Sequence, residues 1–280
     1  MERASYRRNR GGSASVVLAM PDDQPPLAAT ERAATAGEHA PVVVFLHGVG
    51  CARDQFAAQL AGLDRRLLLL SLDLPGHGES PPLPGGGYGV ATVAAAVEND
   101  LVRRGLGEIV LVGHSAGGIA ALLVAATRPD LVRGVVVVDS TIALTEPELQ
   151  ANRARSTESD NSDWRRHFMG AMTQAWGTGE HGRAAVFRTL ERTPMHVAKP
   201  FWHSVLAFEP EYLWRRVTVP ALYIRSRRDT DLRLLRTLNP LISTADLRPR
   251  CGGHWPHVQC PDAVNAALHQ FLTRLGLIGG

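Results

Sequence analysis

At 280 residues, the chain has the length of one α/β domain carrying an insertion. A chain this long buries about three-quarters of its unfolded surface, so its fold needs no disulfide or metal staple. Its 30 Lys and Arg against 27 Asp and Glu leave a formal charge of +3, but the basic residues are scattered and Lys199 is the only lysine. That distribution excludes a nucleic-acid stripe, and no apolar run has the length of a membrane span.

Residues 1–13 read as a disordered basic tail. Arg7-Arg8 stand before a short apolar stretch, Ala14 to Met20, which is too short for a secretory signal and runs into Pro21-Asp22-Asp23. Strands are expected at residues 15–20 and 26–32, on either side of that turn. Residues 41–46 form a continuous apolar run of the kind that fills a buried parallel strand, ending at His47-Gly48-Val49-Gly50. A helix over 54–63, a strand over 66–72, a Pro/Gly-rich loop from Asp73 to Gly89 and an Ala/Val-rich helix over 91–104 follow. The apolar run 108–112 leads through Gly113-His114-Ser115-Ala116-Gly117 into a helical stretch at 119–126, and 132–138 is the next strand, closed by Asp139-Ser140. Alternating strands and helices with short links predict a mostly parallel sheet covered on both faces.

Residues 141–216 break the alternation. They hold no strand run, yet carry four of the five tryptophans and three of the five methionines. They read as a helical cap inserted into a core made of 14–140 and 217–280. Alternation resumes with a strand at 219–225, a helix at 231–238, a short strand near 245–248, the Gly252-Gly253-His254 loop and a terminal helix over 262–275. Cys51, Cys251 and Cys260 lack metal-ligand spacing and leave at least one thiol unpaired, which fits a reducing cytoplasm.

Between a strand and a helix, Gly-x-Ser-x-Gly is the pattern of a nucleophile elbow, with Gly113 and Gly117 keeping bulk away from the turn. It would present the Ser115 hydroxyl at the N-terminus of the following helix, whose free amides favour a developing oxyanion. Serine needs an adjacent base. His254 is the candidate, its glycines letting the loop turn back to the elbow, and His257 is the competitor. Asp229, after the strand ending at Arg225, is the candidate acid that orients the imidazole. Asp139 is the alternative acid, and Asp231 reads as a helix cap. Val49 and Ala116 are the expected oxyanion amides, with His47 bonded beneath the loop.

Leu46-His47-Gly48, Asp73-Leu-Pro-Gly-His-Gly78 with Ser80, Gly113 to Gly118, Val138-Asp139-Ser140 and Gly253-His254 together resemble the α/β-hydrolase superfamily. The likeness is to its capped branch of esterases, lactonases, thioesterases and carbon–carbon bond hydrolases. This resemblance implies an eight-stranded, mostly parallel sheet flanked by helices, with a helical cap and no cofactor or metal. It implies a serine hydrolase that cleaves an ester, thioester or lactone through an acyl-Ser115 intermediate, acting on a small-molecule acyl substrate of hydrophobic or aromatic character. Related dehalogenases and epoxide hydrolases carry aspartate at the elbow, so serine points away from both. Trp164, Phe168, Met172, Trp176, Phe201, Trp202 and Trp255 are the candidate substrate-lining residues. Two alternatives remain open at this point. One is an acyltransferase using the same residues, fed by a thioester or an acyl carrier protein; the other is a non-catalytic binding protein on the same fold.

Overall fold

The computed structural model describes residues 24–140, 142–143, 146–158, 163–209 and 211–279. The apolar runs become strands β1 (Ala29–Arg32), β2 (Val42–Leu46), β3 (Leu68–Leu72), β4 (Ile109–His114), β5 (Val132–Val138), β6 (Ala221–Arg225) and β7 (Ile242–Asp246). They form one sheet in the order β1-β3-β2-β4-β5-β6-β7, with only β1 antiparallel to its neighbour. Seven strands lie among the described residues, against eight expected; the tail and the strand expected at 15–20 fall outside them. The last strand starts three residues before its expected position. Its Ser243-Thr244 stretch is only half-buried at the sheet edge and so gives no apolar run to read.

Helices α1 (Ala57–Gly62), α2 (Val90–Arg103) and α3 (Ala116–Thr127) connect the first strands; α9 (Leu232–Leu238), α10 (Pro256–Gln259) and α11 (Pro261–Arg274) complete the C-terminal part. Period-two alternation in the strands separates two buried layers. Val44 and Leu46 pack with Val93 and Val97 of α2 and Ile119 and Leu122 of α3. Val43 and Phe45, one residue out of phase, pack with Leu60 of α1 and Val264, Leu268 and Phe271 of α11. Because both faces are covered, the strands read as continuous apolar runs rather than alternating ones. Helix α3 is buried from Ala116 through Ala125, which explains its all-apolar sequence.

Between β5 and β6 the chain forms α4 (Glu146–Glu158), α5 (Trp164–Trp176), α6 (Arg183–Arg192), α7 (Met195–Leu206) and α8 (Glu211–Trp214), with no strand among the described residues. This helical insertion is tied to the loops of the sheet by polar contacts. Thr193 Oγ1 donates to the Gly50 carbonyl at 3.1 Å, Gln55 Nε2 donates to Thr189 Oγ1 at 3.1 Å, and the Val90 amide donates to Ser204 Oγ at 2.8 Å.

The strand order sets the place of the site. From β3 the chain returns past β2 to form β4, so the carboxyl ends of β2 and β4 meet at a topological switch point, where open α/β sheets bind ligands. Cys251 and Cys260 form a disulfide across the loop that holds His254, which leaves the buried Cys51 as the unpaired thiol.

Candidate active site

Ser115 sits at the turn between β4 and α3 with φ 53° and ψ −119°, a backbone conformation few non-glycine residues adopt. The turn closes only because its flanks lack side chains. A methyl group at Gly113 would overlap the backbone of Gly117 and Gly118, and one at Gly117 would overlap the carbonyls of Leu46 and His47. The Ser115 amide donates to the Val138 carbonyl at 2.9 Å, and Ser140 Oγ donates to the Ser115 carbonyl at 2.7 Å. The end of β5 thus grips the elbow and holds the strained turn in place.

His254 Nε2 lies 3.0 Å from Ser115 Oγ, and its Nδ1 lies 2.7 Å from Asp139 Oδ2. A carboxylate accepts, so Nδ1 carries the proton and Nε2 is left free to accept from the serine. Burial lowers the His254 pKa below its ordinary value, while the hydrogen bond to Asp139 opposes that shift. Asp139 is fully buried and, like Ser115, has a positive φ of 46°. Its second oxygen, Oδ1, accepts from the amides of Ser226 and Arg228, both at 2.9 Å.

This arrangement corrects the expected acid. Asp229 has a side chain 86% exposed and pairs with Arg248 at 3.4 Å, away from the imidazole. The physical reason lies in the turn after β6, which directs two of its amides at Asp139 and leaves Asp229 pointing out. The acid comes from the end of β5, the strand beside the one that carries Ser115. Asp231 caps α9 as expected, accepting from the amides of Arg233 and Leu234. The competing base, His257, stacks on Phe56 with ring centroids 4.6 Å apart and contacts His114 rather than Ser115.

Two positioning residues escaped the sequence reading. His114, the variable residue before the serine, donates from Nε2 to the His254 carbonyl at 2.7 Å. Ser226 Oγ reaches the carbonyls of Cys251 at 2.7 Å and Gly253 at 2.6 Å, linking the acid's turn to the histidine loop. The His254 amide donates to the Ala175 carbonyl of α5 at 2.8 Å, so the insertion also anchors that loop. Only His114 left a signal, as a polar residue inside a motif otherwise made of small ones.

The turn after β2 approaches the serine closely: a methyl on Gly48 would lie 3.1 Å from Ser115 Cβ. Val49 and Ala116, the expected oxyanion amides, are both buried there. His47 lies beneath the turn. Its Nε2 accepts from the Leu74 amide at 2.9 Å, so Nδ1 is protonated and donates to the Gly48 carbonyl at 2.8 Å. Burial pushes its pKa down to about 4, keeping the ring neutral.

Ser115 lines a narrow cleft. Of the candidate lining residues, Phe168, Met172, Trp202 and Trp255 face it, joined by Val205, Leu206, Cys51 and Arg228. Trp164, Trp176 and Phe201 are corrected to core positions. Trp164 stacks behind Phe168 at 4.9 Å, Trp176 packs on Trp255 at 5.5 Å, and Phe201 meets the edge of His77 at 5.8 Å. Among the described residues, no group of three or more His, Cys, Asp or Glu is placed to hold a metal ion.

Similarity to known proteins agrees with this architecture. The chain is 37% identical over 109 residues to the sn-1-specific diacylglycerol lipase ABHD11 of Mus musculus, covering 38% of this chain and 35% of that one. It is 32% identical over 129 residues to the (E)-2-((N-methylformamido)methylene)succinate hydrolase of Acinetobacter baylyi, covering 45% and 48%. These matches span a third to a half of the relatives' lengths. The enol-lactonase of Burkholderia xenovorans superimposes with a TM-score of 0.73 at 19% identity, over 89% of this chain and all of that one, and so shares its fold. Residues 43–267, most of the chain, match a family defined by this fold, and the protein belongs to the alpha/beta hydrolase family.

Proposed function

We propose that the protein is a serine hydrolase of an ester, thioester or lactone, acting through an acyl-Ser115 intermediate. The observation that carries this reading is the unbroken line from Ser115 Oγ through the His254 ring to Asp139, with steps of 3.0 and 2.7 Å. Ser115 attacks the substrate carbonyl as its proton passes to His254 Nε2. Asp139 holds the ring in the required tautomer and stabilises the imidazolium that forms. The amides of Val49 and Ala116 receive the oxyanion. His254 then gives its proton to the leaving alcohol, enol or thiol, and afterwards activates the water that releases the acid.

Helices α4 to α8 serve as the cap over this site, and the apolar cleft wall accepts the acyl chain. The hydrolase names of the relatives, lipase and succinate-derivative hydrolase among them, support the same class of chemistry.

Fluorophosphonate labelling and turnover of a short p-nitrophenyl ester test the reading. Both are expected in the wild-type protein and both are lost in Ser115→Ala. Turnover that survives this change removes Ser115 as the nucleophile. Acyl-enzyme that persists in water and clears only when an acceptor alcohol or amine is added would convert the assignment to acyl transfer.

A further inference from the structure

We propose that the Cys251–Cys260 pair is a reversible thiol–disulfide exchange site, and that the state of this bond sets the activity of Ser115 through the position of His254. The inference rests on the hydrolase reading and adds a control to it. The bond joins residues nine positions apart, and His254 lies between them. Gly252 and Gly253 stand directly before the histidine, and Gly252 is exposed with open space around it. Glycine gives a chain its greatest backbone freedom, so the cross-link restrains the part of the loop that its own sequence leaves loose.

Both ends of the bridge connect to the groups around Ser115. The Cys251 carbonyl lies 2.7 Å from Ser226 Oγ, and the Ser226 amide donates to Asp139 Oδ1 at 2.9 Å. Cys260 stands at the junction of α10 and α11, and the side chain of Gln259 beside it donates to the Trp176 carbonyl of α5 at 3.0 Å. Opening the bridge therefore loosens the histidine loop from the acid's turn on one side and from the helical insertion on the other. The two sulfurs differ in access: Cys251 is packed into the layer with Val264 and Leu268, whereas Cys260 is half-buried. Neither residue lines the cleft, so exchange needs no entry to the site. The thiolate of a dithiol reductant attacks the Cys260 sulfur, and the Cys251 sulfur leaves as a thiolate and takes a proton. The reductant's second thiol then attacks the mixed disulfide, which frees Cys260 as a thiol and closes the reductant's own disulfide. Two electrons and two protons pass to the protein. Such a bond opens in a reducing compartment and persists in an oxidising one.

The test compares the full-length protein oxidised with glutathione disulfide and reduced with dithiothreitol, the reagent being removed by gel filtration under nitrogen before assay. Peptide mapping is expected to show Cys251 joined to Cys260 in the first form and both cysteines alkylated in the second. On reduction, kcat for p-nitrophenyl butyrate is expected to fall about tenfold or more with KM changed by less than about twofold, because a misplaced base slows proton transfer more than binding. Fluorophosphonate labelling of Ser115 should slow in proportion, the far-UV circular dichroism should be unchanged, and reoxidation should restore the rate. Cys260→Ser, which cannot form the bridge, is expected to keep the low kcat under both conditions. Equal kcat in the two forms overturns the inference, as does an oxidised protein without the bridge or a Cys260→Ser variant as active as the oxidised wild type. Reduction that unfolds the whole protein overturns it too, since the bond then serves the fold alone. If Cys260→Ser does not fold, the comparison of the two wild-type forms decides. Equal labelling of Ser115 in both forms removes this inference and leaves the hydrolase reading standing, whereas no labelling in either form removes the hydrolase reading and the inference with it.

Discussion

The Asp139 carboxylate reaches Nδ1 of His254 at 2.7 Å from the end of β5, across 115 residues of sequence. With Ser226 and Arg228 donating to its other oxygen, this buried carboxylate accepts hydrogen bonds from two backbone amides as well as from the imidazole it orients.

Asp139→Asn is expected to lower kcat on the order of 10⁴-fold, the scale for losing a triad acid, because the amide favours the wrong imidazole tautomer. Asp229→Asn changes only an exposed ion pair and is expected to stay within about threefold of wild type. The pH profile adds an independent reading. His254 titrates below its ordinary pKa, so the acidic limb of kcat/KM falls below pH 6.5. Asp139→Asn removes the interaction that raises that pKa, and its residual activity is expected to show the limb at still lower pH. Loss of activity in Asp229→Asn with retention in Asp139→Asn would reverse the assignment.

Ser226 is buried and does not line the cleft, so we expect its effect to pass through the histidine loop. Ser226→Ala removes the one hydroxyl proton shared by the carbonyls of Cys251 and Gly253 in a buried setting, a cost of about 1–3 kcal/mol. We expect kcat to fall about tenfold with little change in KM, since a misplaced His254 weakens proton transfer more than binding. Fluorophosphonate labelling should slow in proportion. A variant that loses stability but labels Ser115 at the wild-type rate would show that Ser226 serves the fold alone.

Acid should unfold this protein earlier than its carboxylates alone would dictate. Burial lowers the pKa of His47 to about 4 and those of His77 and His257 to about 3. In the unfolded chain each takes up its proton near pH 6.5, so the unfolded state binds more protons than the folded one below that value. Stability is therefore complete above pH 6.5 and falls as the pH drops toward 4 and then 3. Each histidine contributes a slope of about 1.4 kcal/mol per pH unit within its window. Urea midpoints measured from pH 7 to 4.5 check this. His257 stacks between Phe56 and His114, and neither of its ring nitrogens has a hydrogen-bond partner among the described residues. His257→Phe is thus expected to raise stability and to reduce the pH slope by up to about 1.4 kcal/mol per pH unit. An unchanged slope would place its titration elsewhere.

The elbow was legible in the sequence because its requirements are local. Five residues between an apolar run and a helical stretch specify a turn that only glycine flanks can close, and the contacts beside Gly113 and Gly117 are the direct consequence. His254 was legible for a similar reason, as a histidine in a glycine-bearing loop just before the last helix. The cap aromatics were not. Phe168 faces the cleft and Trp164 stacks behind it, four positions away on the same helix, and both are apolar residues fit for either place.

The sequence by itself determined the parallel core, the strained serine turn and the histidine poised to meet it, since periodicity, glycine placement and turn chemistry act over a few neighbouring residues. Which aspartate completes the line was decided only in three dimensions. Asp139 and Asp229 both follow buried strands, and no short-range preference separates them. Sheet order places β5 beside the nucleophile's strand, and the turn after β6 spends its amides on Asp139, so one carboxylate is enclosed and the other meets water.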